Sequence, residues 1–173
     1  MTRHRLIVDG YNVLHAHPVY GPLAARDLDS ARARLVADLT GYAAAGSQTT
    51  VVFDGGGNPA SDGAPHHIGP LVVLFSPAGA TADTVIEALA HRSRARGEDV
   101  LVVTSDAATR QTVRSGTVAV RSSQSFVAEL TETLDEIRPA GKDGKRTTVA
   151  QRIDPTVSAV LARWARGGRP VRD

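Results

Sequence analysis

Four aspartates recur where apolar runs end or helices begin. Leu6-Ile7-Val8 leads into Asp9-Gly10-Tyr11-Asn12, Val51-Val52-Phe53 into Asp54, and Val102-Val103 into Thr104-Ser105-Asp106, while Asp83 sits in Thr81-Ala82-Asp83. An acid that closes a buried strand beside a backbone-freeing glycine stands where open α/β sheets place their chemistry. Four separated acids brought to one sheet edge would serve metal-assisted hydrolysis, with Mg²⁺ or Mn²⁺ as the hard cation that carboxylates favour.

Each motif also has a plainer reading. Asp9 is a candidate metal ligand, with the Asn12 amide holding that carboxylate or a substrate phosphate; yet Asp-Gly and Asn are ordinary turn formers. Asp83 and Glu87 lie four apart and share a helix face, but an acid in a first turn is also favoured by the helix dipole, and Glu87 reads as solvated. Asp106 is a candidate ligand, and the Thr104 and Ser105 hydroxyls could contact phosphate or water; Ser105 or Asp106 would equally serve as a helix cap. Gly55 to Ala60 fits a dinucleotide fingerprint by spacing, but no helix follows it, so the required context fails. His66-His67 lacks a third nitrogen or thiol ligand for zinc. Tyr11 stands where a haloacid-dehalogenase-type phosphatase needs a second Asp. Tyr11 and Val13 stand where integrin-type metal sites need serines.

The elements that must position these acids alternate between strand and helix patterns. Strands are expected at 5–9, 49–54, 71–75, 100–103 and 118–120. Helices are expected at 27–45, 81–96 (with Thr81 as N-cap), 106–114 and 123–137. In the first, Leu28, Ala31, Leu35, Val36 and Leu39 recur at helical spacing; the last turns Phe126, Val127, Leu130, Leu134 and Ile137 inward. Residues 55–70, with eight Gly or Pro, read as a loop. Continuous Val/Ile/Leu strands separated by helices predict an α/β fold: a parallel sheet of about five strands with helices on both faces. Right-handed crossovers then carry the strand C-terminal ends, and the acids, to one edge.

Composition sets the outer limits. The chain has 173 residues, 42% hydrophobic but only 4% aromatic, so the core must be aliphatic. It contains no cysteine, which excludes disulfides and thiolate metal sites and fits a reducing cytoplasm. No apolar run reaches the roughly 20 residues of a membrane span. Asp9 ends the first apolar run too early for a signal peptide, so a soluble, cytoplasmic protein with no membrane partner is expected. The net charge of +2 is unevenly placed. Residues 139–173 carry 8 Lys and Arg against 3 Asp, a net +5, leaving the first 138 residues at −3. A basic tail on a slightly acidic body points to a polyanion, most simply RNA. The expected organisation is a domain over 1–138, a basic linker over 139–153, and an amphipathic helix and tail over 154–173. That helix opens at Asp154-Pro155 and carries an apolar stripe ending at Trp164. Oligomeric state is left open by the sequence.

Together, Leu6–Val13, Val51–Asp54, Ala80–Asp83 and Val103–Asp106 resemble the NYN domain in its YacP-like branch, within the PIN-like nuclease group. The order and spacing agree over roughly residues 5–137. The resemblance implies a Rossmann-like (PIN-like) sheet and metal-dependent endoribonuclease activity in RNA turnover, in some members on the ribosome. Asp9, Asp83 and Asp106 match the family's acidic positions, Asn12 its motif asparagine, and Asp54 the acid after the second strand. Arginines near the edge, Arg110 among them, and the basic tail would contact phosphates. Two other classes compete: a non-catalytic RNA- or ribosome-binding module built on the tail, and a nucleotide-binding enzyme built on Gly55–Ala60.

Overall fold

The computed structural model describes residues 4–56, 58–113, 118–137 and 159–163. The strands are β1 (His4–Asp9), β2 (Gln48–Phe53), β3 (His66–Ile68), β4 (Leu71–Phe75), β5 (Asp99–Val103) and β6 (Val118–Arg121). The helices are α1 (Gly10–Ala16), α2 (Tyr20–Ala24), α3 (Leu28–Ala44), α4 (Ala82–Ala95), α5 (Ala107–Val113) and α6 (Ser123–Ile137). They form one six-stranded sheet in the order β3-β4-β2-β1-β5-β6. Every pairing is parallel except that of β3 with β4.

Residue alternation along the central strands explains the two layers. Leu6, Val8, Val51, Phe53, Val73 and Phe75 face one way, into a core closed by α1, α3 and α6 through Leu14, Leu35, Leu39, Phe126 and Leu130. Ile7, Val52, Leu74, Val100 and Val102 face the other, against Ile86 and Ala90 of α4 and Val113 of α5. Because both faces are covered, the central strands need apolar residues at successive positions, which is why they read as unbroken runs.

Winding sets where the chemistry falls. From β1 the chain adds β2 and then β4 on one side, and later returns to add β5 and β6 on the other. The switch point therefore lies between the C-terminal ends of β1 and β5, where crossovers diverge and leave a crevice.

Three elements depart from the sequence reading. Residues 10–16 form a helix, started by Asp9, where turn chemistry was the alternative. A short helix follows at 20–24. The 55–70 loop contains β3, whose His66 and His67 pair with Val73 and Val72. Three residues are too short to show a period, so the sheet has six strands rather than five. Leu28 and Ile137, expected inward, are exposed; each is the terminal residue of its helix, where the packed layer ends. Gly10 is also used differently from the expectation. It is helical, and a Cβ there would lie 2.4 Å from the Phe53 ring, so the position needs absence of bulk, not backbone freedom.

Of the expected C-terminal helix, residues 159–163 are described, and Leu161 is fully buried in the same core as Phe126 and Leu130. The 139–153 segment, Asp154 and Trp164 lie outside the described residues. Among the described residues no helix is long and apolar enough to cross a membrane.

Candidate active site

Asp9 ends β1 and caps α1, so its carboxylate sits at the switch point with 4% exposure. Asn12, one turn on, holds both of its oxygens: the backbone N–H donates to Oδ1 at 3.1 Å and the side-chain Nδ2 to Oδ2 at 2.5 Å. The place of this acid is set by topology, and its orientation by helix geometry, since residue i+3 returns over the cap. Of the two roles open to the Asn12 amide, holding the carboxylate is the one formed.

Asp83 and Asp106 reach the same place from other elements. Thr81 caps α4 through Oγ1 at 3.3 Å from the Thr84 N–H, which puts Asp83 in the first turn. Asp106 precedes α5 and accepts the Thr109 N–H at 2.8 Å. The buried Thr109 hydroxyl lies between the two acids, 2.5 Å from Asp83 Oδ1 and 3.2 Å from Asp106 Oδ1. Thr109 was missed from the sequence. Its signal was its place three residues after a capping Asp, where a side chain turns back toward the helix start.

The electrostatics follow from burial and neighbours. Desolvation pushes the Asp9 carboxyl above its ordinary value; the Asn12 hydrogen bonds pull it down, and the charges of Asp83 and Asp106 push it up again. Those two acids are thus close enough to act on Asp9. Asp106 moves the other way, held low chiefly by the Thr109 backbone hydrogen bond, with Arg110 adding a nearby positive charge.

The remaining candidates occupy distinct places. Asp54 follows β2 and uses both oxygens on backbone donors, Gly56 N–H at 2.7 Å and Ala82 N–H at 3.2 Å. It therefore ties the Gly-rich loop to the start of α4. Thr104 is fully buried, and its hydroxyl accepts the Asp106 N–H at 3.1 Å, so it shapes the turn and presents nothing to a substrate. The exposed Ser105 accepts the Ser123 N–H at 3.1 Å and so fixes the start of α6. Arg110 is exposed and donates from Nε to the Asp106 carbonyl at 3.3 Å. It lines a surface cavity of about 550 Å³ with Gln111 and Ser122. Glu87 lies one turn below Asp83 and lines a different cavity with Thr84 and His91. His66 and His67 are on the edge strand.

Among the described residues no group of three or more His, Asp or Glu side chains is arranged to hold a metal ion by itself. The donor chemistry nonetheless suits a hard cation. Magnesium commonly takes one or two carboxylates and keeps several waters, with substrate phosphates completing its shell. The mutual repulsion felt at Asp9 is the kind of potential that a bound cation relieves.

Comparison with known proteins agrees with this fold. Among solved structures, Rae1 (YacP) from Bacillus subtilis shares the fold at a TM-score of 0.66, with 23% identity over 94% of this chain and 95% of that one. A crystal structure of a mutant of the same Bacillus subtilis protein gives 27% identity over 76% of this chain and 77% of that one, at a TM-score of 0.63. No curated protein matches the chain. The model of the YacP-like NYN domain matches residues 6–166, nearly the whole chain, and the protein belongs to that family.

Proposed function

We propose that the protein is a metal-dependent endoribonuclease acting in RNA turnover in the cytoplasm, with Asp9, Asp83 and Asp106 as its reacting centre. The observation that carries this reading is the convergence of three acids from β1, α4 and the β5–α5 turn at the switch point, close enough for two of them to shift the third. NYN domains resemble nucleases, and a phosphodiester is the bond such a cluster suits.

One or two carboxylates among Asp9, Asp83 and Asp106 would hold Mg²⁺ or Mn²⁺ together with waters and the substrate phosphate, and the ion would supply charge neutralisation at the phosphate and a water of lowered pKa. The other residues prepare the site. Asn12 fixes the Asp9 carboxylate. Thr109 sets the spacing of Asp83 and Asp106. Asp54, both oxygens engaged, holds the start of α4 in place and is assigned no metal role. Arg110 and the basic residues 139–173 supply phosphate contacts, with the ribosome as one setting for that binding.

The test is cleavage of single-stranded and structured RNA by the purified full-length chain. Activity should vanish with EDTA, return with Mn²⁺, and be lost in Asp9→Asn and Asp83→Asn. Cutting that persists in both variants sinks the proposal. The charge asymmetry supports a second reading, a non-catalytic RNA- or ribosome-binding module. There, deleting 139–173 would abolish binding, the acid substitutions would leave it unchanged, and no cleavage would be seen.

A further inference from the structure

On the sheet face opposite α3 and α6, α4 packs over β1, β2 and β5. It leaves a groove of about 470 Å³ between itself and β4. The floor is apolar, formed by Val72 and Leu74 of β4 with Val85 and Leu89 of α4. Its charged lining is Arg5, Arg92 and Arg96 against Asp62 alone. None of these arginines forms an ion pair among the described residues. Arg5 spends one Nη on Thr50 Oγ1 at 3.2 Å and leaves its buried Nε without a partner. Arg92 and Arg96 are exposed near the end of α4.

The upper end of this groove is lined by Ala80 and Thr84, which flank the turn that presents Asp83. The geometry points to a second RNA-binding surface here: a single-stranded segment of the RNA held at the acid site continues down the groove, its phosphates on Arg5, Arg92 and Arg96. This rests on the ribonuclease reading for the identity of the polyanion. From Thr84 to Arg96 the helix rises about 18 Å, room for several nucleotides. The apolar floor accepts base and ribose faces, while arginines neutralise phosphates and stack on bases. Continuity with the acid site favours RNA over an acidic peptide, which would have no reason to start at Asp83.

The test uses full-length Asp9→Asn protein, so that binding is read without cleavage. Fluorescence anisotropy with labelled single-stranded RNA at several salt concentrations compares it with versions also carrying R92Q/R96Q or R92K/R96K. Losing two phosphate contacts should flatten the plot of log affinity against log salt by about 1.4. The Gln pair should bind several-fold more weakly at low salt, and the Lys pair should recover both the slope and most of the affinity. An unchanged slope in the Gln pair overturns the proposal, as does a loss that the Lys pair fails to recover. An acidic peptide that depends on these arginines while RNA binding does not would reassign the groove to a protein. If the groove binds RNA but the wild-type protein shows no metal-dependent cleavage, the nuclease assignment falls and the groove stands.

Discussion

Asn12 grips both oxygens of Asp9, one through its backbone N–H at 3.1 Å and one through its side chain at 2.5 Å. These bonds oppose the desolvation that raises the Asp9 carboxyl. Asn12→Ala removes the side-chain bond, so the Asp9 pKa should climb further. The acidic limb of the pH–rate profile should move to higher pH, and kcat/KM at neutral pH should fall by roughly 10-fold or more. A profile that keeps its acidic limb in place would show that Asn12 does not tune Asp9.

Asp9→Asn should separate stability from activity. A carboxyl whose folded pKa is raised binds its proton more tightly folded than unfolded, so its contribution is greatest below the ordinary value of 3.8 and falls as pH rises through the folded value. Asn is an equally good N-cap. In urea melts the variant should therefore match or exceed the wild type at pH 7 and lose that advantage toward pH 4, while RNA cleavage is abolished.

Thr109→Val keeps the shape of a buried side chain and removes the hydroxyl between Asp83 and Asp106. The backbone bond to Asp106 survives. Denaturant melts should show a loss of about 1–3 kcal/mol, and cleavage should drop with kcat affected more than KM. Thr109→Ser should recover much of both.

Gly10→Ala places a methyl against the Phe53 ring. Overpacking of this kind costs about 1–3 kcal/mol. A second substitution, Phe53→Leu, should relieve part of that cost in a double-mutant cycle; strictly additive effects would show that the clash is absorbed elsewhere.

The parts legible in the sequence were those with long, unambiguous patterns. Val51–Phe53 and Leu71–Phe75 could only be buried strands, and the stripe of α6 ran through Phe126 and Leu130 as expected. Strand polarity then carried Asp9, Asp83 and Asp106 to one edge without further information. Short elements were not legible: α2 and β3 offer too few residues to show a period. Nor was α1, because Asp-Gly-Tyr-Asn serves a turn as readily as a cap. The least visible layer was what each polar side chain holds. Nothing local reveals that Thr104 and Ser105 spend their hydroxyls on the Asp106 and Ser123 amides, or that Thr109 joins an acid 26 residues before it to one three residues before it.

The switch point between β1 and β5 has a consequence for how the chain comes into being. β1 pairs with β2 as well as with β5, and β2 is made first. A ribosome that has synthesised only the first hundred residues has produced Asp9 and Asp83 but not Asp106. The acid cluster is completed only when β5 docks along β1 and α5 starts beyond it, so an incomplete nascent chain carries an unfinished acid cluster throughout most of its synthesis.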